Sequence, residues 1–431
     1  MCLLKSIKLR RKPKNLRMIF PSVRKVCVTG IGIVSPIGND LVSFANALHA
    51  GQSGIRVLSN QPASRNLRIG GVVDVNFADY FSPSKIALLD RVSALALIAA
   101  TQAVQSATEH ASLAPQLDEA AVYLGTGIGG IHALENAYCE HFLRDGKRIK
   151  PFTVVQAMNN ASSGHIAMEF KCHGPSLTYS TACSSSAMAI GEAYRAIKHG
   201  YIDCAFAGGT EALLTPGTLD AWDALRTLAL PDAENPGSSC RPFSRNRTGL
   251  VLAEGAAILM LEAYDVAVAR GATIYAHISG YGSKTDATHL TKPDAGGQTA
   301  TMRAALQEAA LEPSEIGYLN AHGTATQAGD LVETNAIKQV FGEYSKVLPV
   351  SSTKSMHGHV MGATGAIEFV AALCALRESF LPPTINLAEY DPECDLDYVA
   401  NIAREGITLR HVMSNSFAFG GSNACLIASH Q

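Results

Sequence analysis

The 431-residue sequence contains no stretch of the roughly 18 consecutive apolar residues that a membrane-crossing helix requires, so no membrane partner is expected. It also lacks any closely spaced cysteine pair. The ten cysteines, at positions 2, 27, 139, 172, 183, 204, 240, 374, 394 and 425, show neither CxxC spacing nor a tight framework. That scatter excludes a small disulfide scaffold and fits a reducing, cytoplasmic setting with mostly inert thiols. Neither sign of charge is in excess, with 35 Lys and Arg against 37 Asp and Glu, so nothing global attracts nucleic acid or an anionic surface. Only 17% of residues are charged while 47% are hydrophobic, which excludes a disordered or fibrous chain and calls for extensive interior surface. A chain this long predicts two or three compact units, or one large two-part fold with room for a catalytic cleft.

The opening segment MCLLKSIKLRRKPKNLR is basic and free of acid, yet lacks the apolar core and cleavage site of a secretory signal. Residues 1–23 are therefore expected to be an extension outside the fold. Strand and helix signals begin at KVCVTGIGIVSP (25–36), where a β-rich apolar run meets Gly and Pro. AAVYLGTGIGG (120–130) delivers a strand into a glycine-rich turn, and residues 176–209 read as strand, helix and strand. Such alternation implies parallel sheet covered by helices. PDAENPGSSCRPFSRNRTG (231–249) predicts a surface loop, after which LVLAEGAAILMLE (250–262) resumes buried structure. A seam near ARGAT (269–273) separates residues 24–263 from residues 274–431. The second half brings IYAHISG, IGYLNAHG, VLPVSS, a helix through AIEFVAALCAL, HVMSNSF and NACLIAS. No internal repeat is visible; the halves share only coarse alternation.

Cys183 sits where the extended SLTYST meets a helix running roughly from Ser184 to Ile197. The free N–H groups and partial positive charge of a helix start favour a thiolate, which would make this cysteine a nucleophile; taken alone, it could equally be a small core residue. NAHGTATQAGDLVE (320–333) places His322 at the end of an apolar strand in a glycine-bearing loop. SSTKSMHGHVMGATGAIE (351–368) repeats the plan with Lys354 and His359. Asp330 and Glu333 also spell a D-x-x-E capping box, so Glu333 is either a functional carboxylate or a helix cap. Zinc is not expected, because the only short ligand pair among the candidate site residues is His357 with His359. GTGIGG lacks the complete dinucleotide fingerprint and its acidic partner, so no nicotinamide site is expected.

TACSSSA, NAHGTATQAGD, KSMHGHVMGATGAIE and SNSFAFGGSNA, in this order, resemble the four signature segments of β-ketoacyl-acyl carrier protein synthases. The similarity runs from about residue 24 to the end, and GTGIGG and RPFSRNRTGLVLAEGAA strengthen it, particularly toward the elongating branch with two catalytic histidines. The resemblance implies a thiolase-like α/β fold of two similar halves in α/β/α/β/α layers. It implies that Cys183 carries the acyl chain as a thioester, with the backbone N–H groups of Cys183 and Phe419 as oxyanion hole. His322 and His359 would stabilise the enolate left when malonyl-carrier protein loses carbon dioxide. Lys354 would orient this pair with Glu333 as its partner, while Thr324 and Thr326 would contact the phosphopantetheine arm. Phe417 and Phe419 would line the substrate pocket, Phe419 as an aromatic gate. His357 has no role in the pattern and is expected in a loop at the cleft edge. No cofactor is implied beyond the phosphopantetheine of the acyl carrier protein, and the partners implied are that carrier and a second subunit, identical or related.

An initiating condensing enzyme or a degradative thiolase would differ at one histidine or add a second catalytic cysteine, and a non-catalytic chain-length factor would lack Cys183. Ser186, Thr364 and Gln327 depart from the commoner residues of the pattern. Together with AWDALRTLAL (221–230) and NNASS (159–163), near the expected acyl tunnel or subunit seam, they raise the alternative of a specialised polyketide or aryl polyene synthase.

Overall fold

Nine consecutive buried residues, Val26–Val34, form the first strand, β1. Two of its glycines let a helix backbone rest directly on it. A Cβ at Gly30 or Gly32 would lie 2.1 or 1.9 Å from the carbonyl oxygens of Ala103 and Ala99 in the helix Arg91–Thr108, here α1. The computed structural model describes residues 23–59, 68–143 and 148–430, so nearly all of the expected basic extension lies outside the described residues.

The other long-sheet strands are β2 (Ala121–Gly125), β3 (Ser176–Tyr179), β4 (Cys204–Glu211) and β5 (Gly255–Ala263) in the first half. The second half supplies β6 (Ala276–Thr285), β7 (Tyr318–Asn320), β8 (Val350–Ser351), β9 (His411–Phe417) and β10 (Ser422–Ser429). They form one ladder in the order β8-β7-β9-β10-β6-β1-β5-β4-β2-β3. In each half the first strand pairs antiparallel with the fifth, the fifth antiparallel with the fourth, the fourth parallel with the second, and the second parallel with the third. The halves are joined through Val26–Val28 against Ala276–Ile278. The chain thus repeats one topology twice, although its residues show no repeat: topology is set by which strands are apolar and how they connect, and many side-chain sets satisfy that.

Between the half-sheets lie two helices that pack together, α2 (Ser185–Lys198) after β3 and α5 (Thr364–Glu378) after β8. Every residue of α5 from Thr364 to Leu376 is buried, the pattern of a helix covered on all sides. On the outside, α1 covers β1 and β5, while α3 (Ala295–Ala309) covers β6 and β10 with α4 (Gln327–Phe341) beside it. This is the layered α/β/α/β/α arrangement.

Each inner helix is entered through a one-turn 3₁₀ segment, Ala182–Ser184 before α2 and Met361–Ala363 before α5. The first residue of each has a left-handed φ, 52° at Ala182 and 45° at Met361. Parallel strands β3 and β8 therefore deliver two matched turns to one end of the molecule, beside the loops that leave β2 and β7.

The segment 231–249 is irregular as expected, but its second part is not surface: Cys240, Phe243, Ser244 and Arg247 are buried. The reason is Arg247, whose guanidinium bonds Asp391 and the carbonyls of Ser244, Thr326 and Gln327, tying this segment to the start of α4. A buried guanidinium needs such partners, and they fix the loop.

Candidate active site

Cys183, His322 and His359 come from three different loops, yet the cysteine sulfur and a ring nitrogen of each histidine lie within 4.8 Å of one another. Cys183 stands inside the 3₁₀ turn rather than on the helix proper, and is 5% exposed. Burial pushes its thiol up to about 11, against the lowering effects of Lys354 and of the backbone N–H groups of Phe419 and Cys183. The expected resting thiolate is thereby corrected: desolvation outweighs the helix start, and the group rests as a thiol. The N–H groups of Phe419 and Cys183, the donors expected to form an oxyanion hole, are among the groups that favour the charged form of the sulfur.

The protonation pattern of the two imidazoles follows from their neighbours. The Met361 N–H donates to His359 Nδ1 at 3.1 Å, with the Thr364 hydroxyl 2.9 Å from the same atom. Nδ1 is therefore an acceptor, and the proton sits on Nε2, which is buried without a partner among the described residues. Lys354 Nζ, a donor, lies 3.3 Å from His322 Nδ1, so that ring too carries its proton on Nε2. Burial first, and then the Lys354 charge, hold both histidines well below their ordinary range and keep them neutral. The rings stand nearly perpendicular, at 85° with centroids 5.4 Å apart. Two neutral N–H donors so placed can grip one carbonyl oxygen and the charge that develops on it.

Lys354 does not pair with Glu333. Its ammonium bonds both carboxylate oxygens of Glu368 at 2.7 Å, because α5 rises from the inner layer and aims Glu368 at it; both side chains are buried. Glu333 instead accepts the N–H groups of His322 (2.8 Å) and Gly323 (2.7 Å) and the Asn415 side-chain amide. The capping-box reading also fails, since α4 begins at Gln327 with Thr326 as its cap. Glu333 does satisfy backbone donors, but those of the histidine loop. His357 lies fully buried rather than at the cleft edge, bonded to Gly358 O and the Thr353 hydroxyl.

Glu211 was not singled out in the sequence. Its buried carboxylate accepts N–H bonds from Gly127, Ile128 and Gly362 and the hydroxyl of Thr126, joining the glycine-rich loop after β2 to the turn before α5. A glutamate closing the otherwise uncharged strand CAFAGGTE was the available signal.

A cavity of about 230 Å³ opens onto the cysteine and both histidines. Thr324, Thr326, Phe417 and Phe419 all line it, as does Glu333. The Phe419 ring stacks on Trp222, 6.0 Å between centroids at 18°.

Comparison with known proteins agrees with this geometry. Residues 23–267 match the β-ketoacyl synthase N-terminal domain and residues 275–388 its C-terminal domain. The chain is 39% identical over 409 residues to 3-oxoacyl-[acyl-carrier-protein] synthase 2 of Staphylococcus aureus (strain COL), covering 94% of this chain and 98% of that protein. It is 41% identical over 404 residues to nodulation protein E of Rhizobium meliloti (strain 1021), with the same two coverages. Among solved structures, the ishigamide ketosynthase/chain length factor superposes with a TM-score of 0.87 at 32% identity, covering 95% of this chain and 100% of that one. The chain belongs to the β-ketoacyl synthase family of acyl-transferring enzymes.

Proposed function

We propose that this cleft performs a decarboxylative condensation between an acyl group on Cys183 and malonyl-acyl carrier protein. The observation that carries the reading is the convergence of one thiol and two neutral imidazoles on one cavity. In the first half-reaction the Cys183 sulfur attacks the carrier's thioester carbonyl, the N–H groups of Cys183 and Phe419 hold the oxyanion, and the thiol proton leaves on the departing carrier thiol. In the second, the malonyl thioester carbonyl sits between His322 and His359. The bond to the carboxylate breaks, carbon dioxide departs, and the electron pair is held as an enolate by the two N–H donors. That enolate attacks the Cys183 thioester carbonyl, the carbon–sulfur bond breaks, and the freed thiolate takes one proton from water. The Lys354–Glu368 pair keeps His322 Nδ1 an acceptor. These steps call for no metal or redox cofactor.

The acyl carrier protein supplies both substrates on its phosphopantetheine, with Thr324 and Thr326 along that arm's path. The scattered cysteines, unpaired among the described residues, favour a reducing, cytoplasmic setting for the reaction; among the described residues no helix is long and apolar enough to cross a membrane. Partnership with a non-catalytic chain-length factor is the second reading, favoured by the likeness to a ketosynthase/chain length factor structure. Intact-protein mass spectrometry with acyl- and malonyl-carrier protein tests the main reading. The expected result is an acyl adduct on Cys183 followed by a carrier-bound product two carbons longer than the primer. No adduct at Cys183 with any primer would defeat it.

A further inference from the structure

The cavity wall carries, in the second half of the sequence, a buried amide oxygen without a partner among the described residues. Gln298 is 2% exposed and lines the cavity, and its Oε1 has no hydrogen-bond partner among the described residues. Two other cavity-lining residues carry an unpartnered buried atom: His359 Nε2 is assigned to the reaction, and Thr227 Oγ1 belongs to a residue only partly buried. The threonines along the arm's path are already engaged. Thr324 and Thr326 bond each other at 3.0 Å, and Thr326 also accepts the Gly329 N–H. Asp286 receives the Asn423 amide at 2.6 Å.

The placement of Gln298 is rigid. It stands in the first turns of α3, whose cap Asp294 accepts the Gly297 N–H at 2.8 Å. A Cβ at Gly297 would come within 2.0 Å of Asp286 Oδ1, so the helix start is pressed onto the preceding loop. That loop is bolted to the Phe419 segment through Asp286 N–H to Gly421 O (2.9 Å) and Gly420 N–H to Leu290 O (2.7 Å). An amide locked beside the gate, in a site lined largely by apolar groups, is costly to leave unbonded. The orphan is an acceptor, so a ligand N–H removes that cost, and the N–H of a secondary amide is such a donor, with a carbonyl beside it that the Gln298 NH2 can meet.

We infer that Gln298 is a substrate-positioning residue that hydrogen-bonds an amide of the pantetheine arm. The inference rests on the carrier-thioester reading above. It assigns to Gln298 the task of reading the arm rather than the acyl chain, so its effect follows the thiol portion of a substrate and not its acyl length.

Two small thioesters separate these possibilities: malonyl N-acetylcysteamine, which keeps one amide of the arm, and malonyl S-butyl thioester, which has none. Carbon dioxide release by the parent enzyme from either thioester is the control; its absence would count against the carrier-thioester reading, not only against Gln298. Gln298→Leu is expected to raise KM for the N-acetylcysteamine substrate about tenfold at little change in kcat, the size of one net hydrogen bond, and to leave the butyl substrate unchanged. Gln298→Asn, one methylene short, should not restore the parent KM. The melting temperature of Gln298→Leu without substrate should equal or exceed the parent's, since a leucine leaves no orphan amide. Equal losses on both thioesters, no loss on either, an effect that tracks acyl length, or a lowered melting temperature would each overturn the inference.

Discussion

At the scale of single residues, the site divides one reaction between groups that cannot substitute for each other. Acyl capture needs a sulfur, whereas decarboxylation needs N–H donors to an enolate oxygen. Cys183→Ala should therefore abolish acyl-enzyme formation and condensation while retaining some carbon dioxide release from malonyl-carrier protein. His359→Ala should still accept an acyl group but decarboxylate on the order of 100-fold more slowly, as for loss of one oxyanion-hole donor. Acyl labelling read by mass spectrometry beside carbon dioxide release checks both halves; condensation by the Cys183 variant would refute the division. His357 offers a different test, because it takes no part in the chemistry. Burial, then Lys354, lowers it to about 3. A base with a depressed folded pKa contributes stability that is present above the unfolded value of about 6.5 and is lost as pH falls toward the folded one. The stability of the parent relative to His357→Gln should thus drop by roughly 1.4 kcal/mol per pH unit between about pH 6 and pH 4, measured by urea unfolding. A pH-independent difference would mean that His357 is not held neutral.

At the scale of elements, the matched 3₁₀ turns are the devices that place the chemistry. Each brings the chain off a parallel strand and into an inner helix through a left-handed residue, one turn carrying Cys183 and the other donating the Met361 N–H that sets the His359 tautomer. An alanine at φ 52° holds a conformation that costs roughly 1–2 kcal/mol for a side-chain-bearing residue. Ala182→Gly removes that strain but frees the unfolded chain, so thermal unfolding should show a net gain of up to about 1 kcal/mol. A clear loss of stability would show that the Ala182 methyl is needed by its packing instead.

At the scale of the molecule, the sheet is finished on one side and open on the other. β3 pairs only with β2, leaving its outer edge free among the described residues. Val154, Val155, Met158, Met168 and Leu177, in the strand and the helical segments that precede it, are exposed, an apolar surface of the kind that marks an interaction site. We predict that a second chain of the same fold, identical or related, occupies this edge. Sedimentation at micromolar concentration is expected to show a dimer of this chain, or a stable species only when a related subunit is present; an active monomer would defeat the claim.

By itself the sequence determined the strand-and-helix alternation and the loops that carry Cys183, His322 and His359, because these depend on local patterns: apolar runs, glycine-bearing turns and short motifs; the roles expected of the three came with the family resemblance. The family resemblance came from those same segments. Only the tertiary structure decided which carboxylate pairs with Lys354. Glu333 and Glu368 are both close in sequence to the site, and the choice turns on which helix lies in the inner layer. It likewise decided that the Cys183 thiol rests protonated, since helix-start polarity is legible in a sequence but the desolvation that outweighs it depends on packing from both halves. The repeated topology, the buried Arg247 loop, Glu211 bridging two loops and the orphan amide of Gln298 belong to the same class. Each is a property of residues brought together from distant parts of the chain, and burial, the quantity that sets their chemistry, exists only once the layers close.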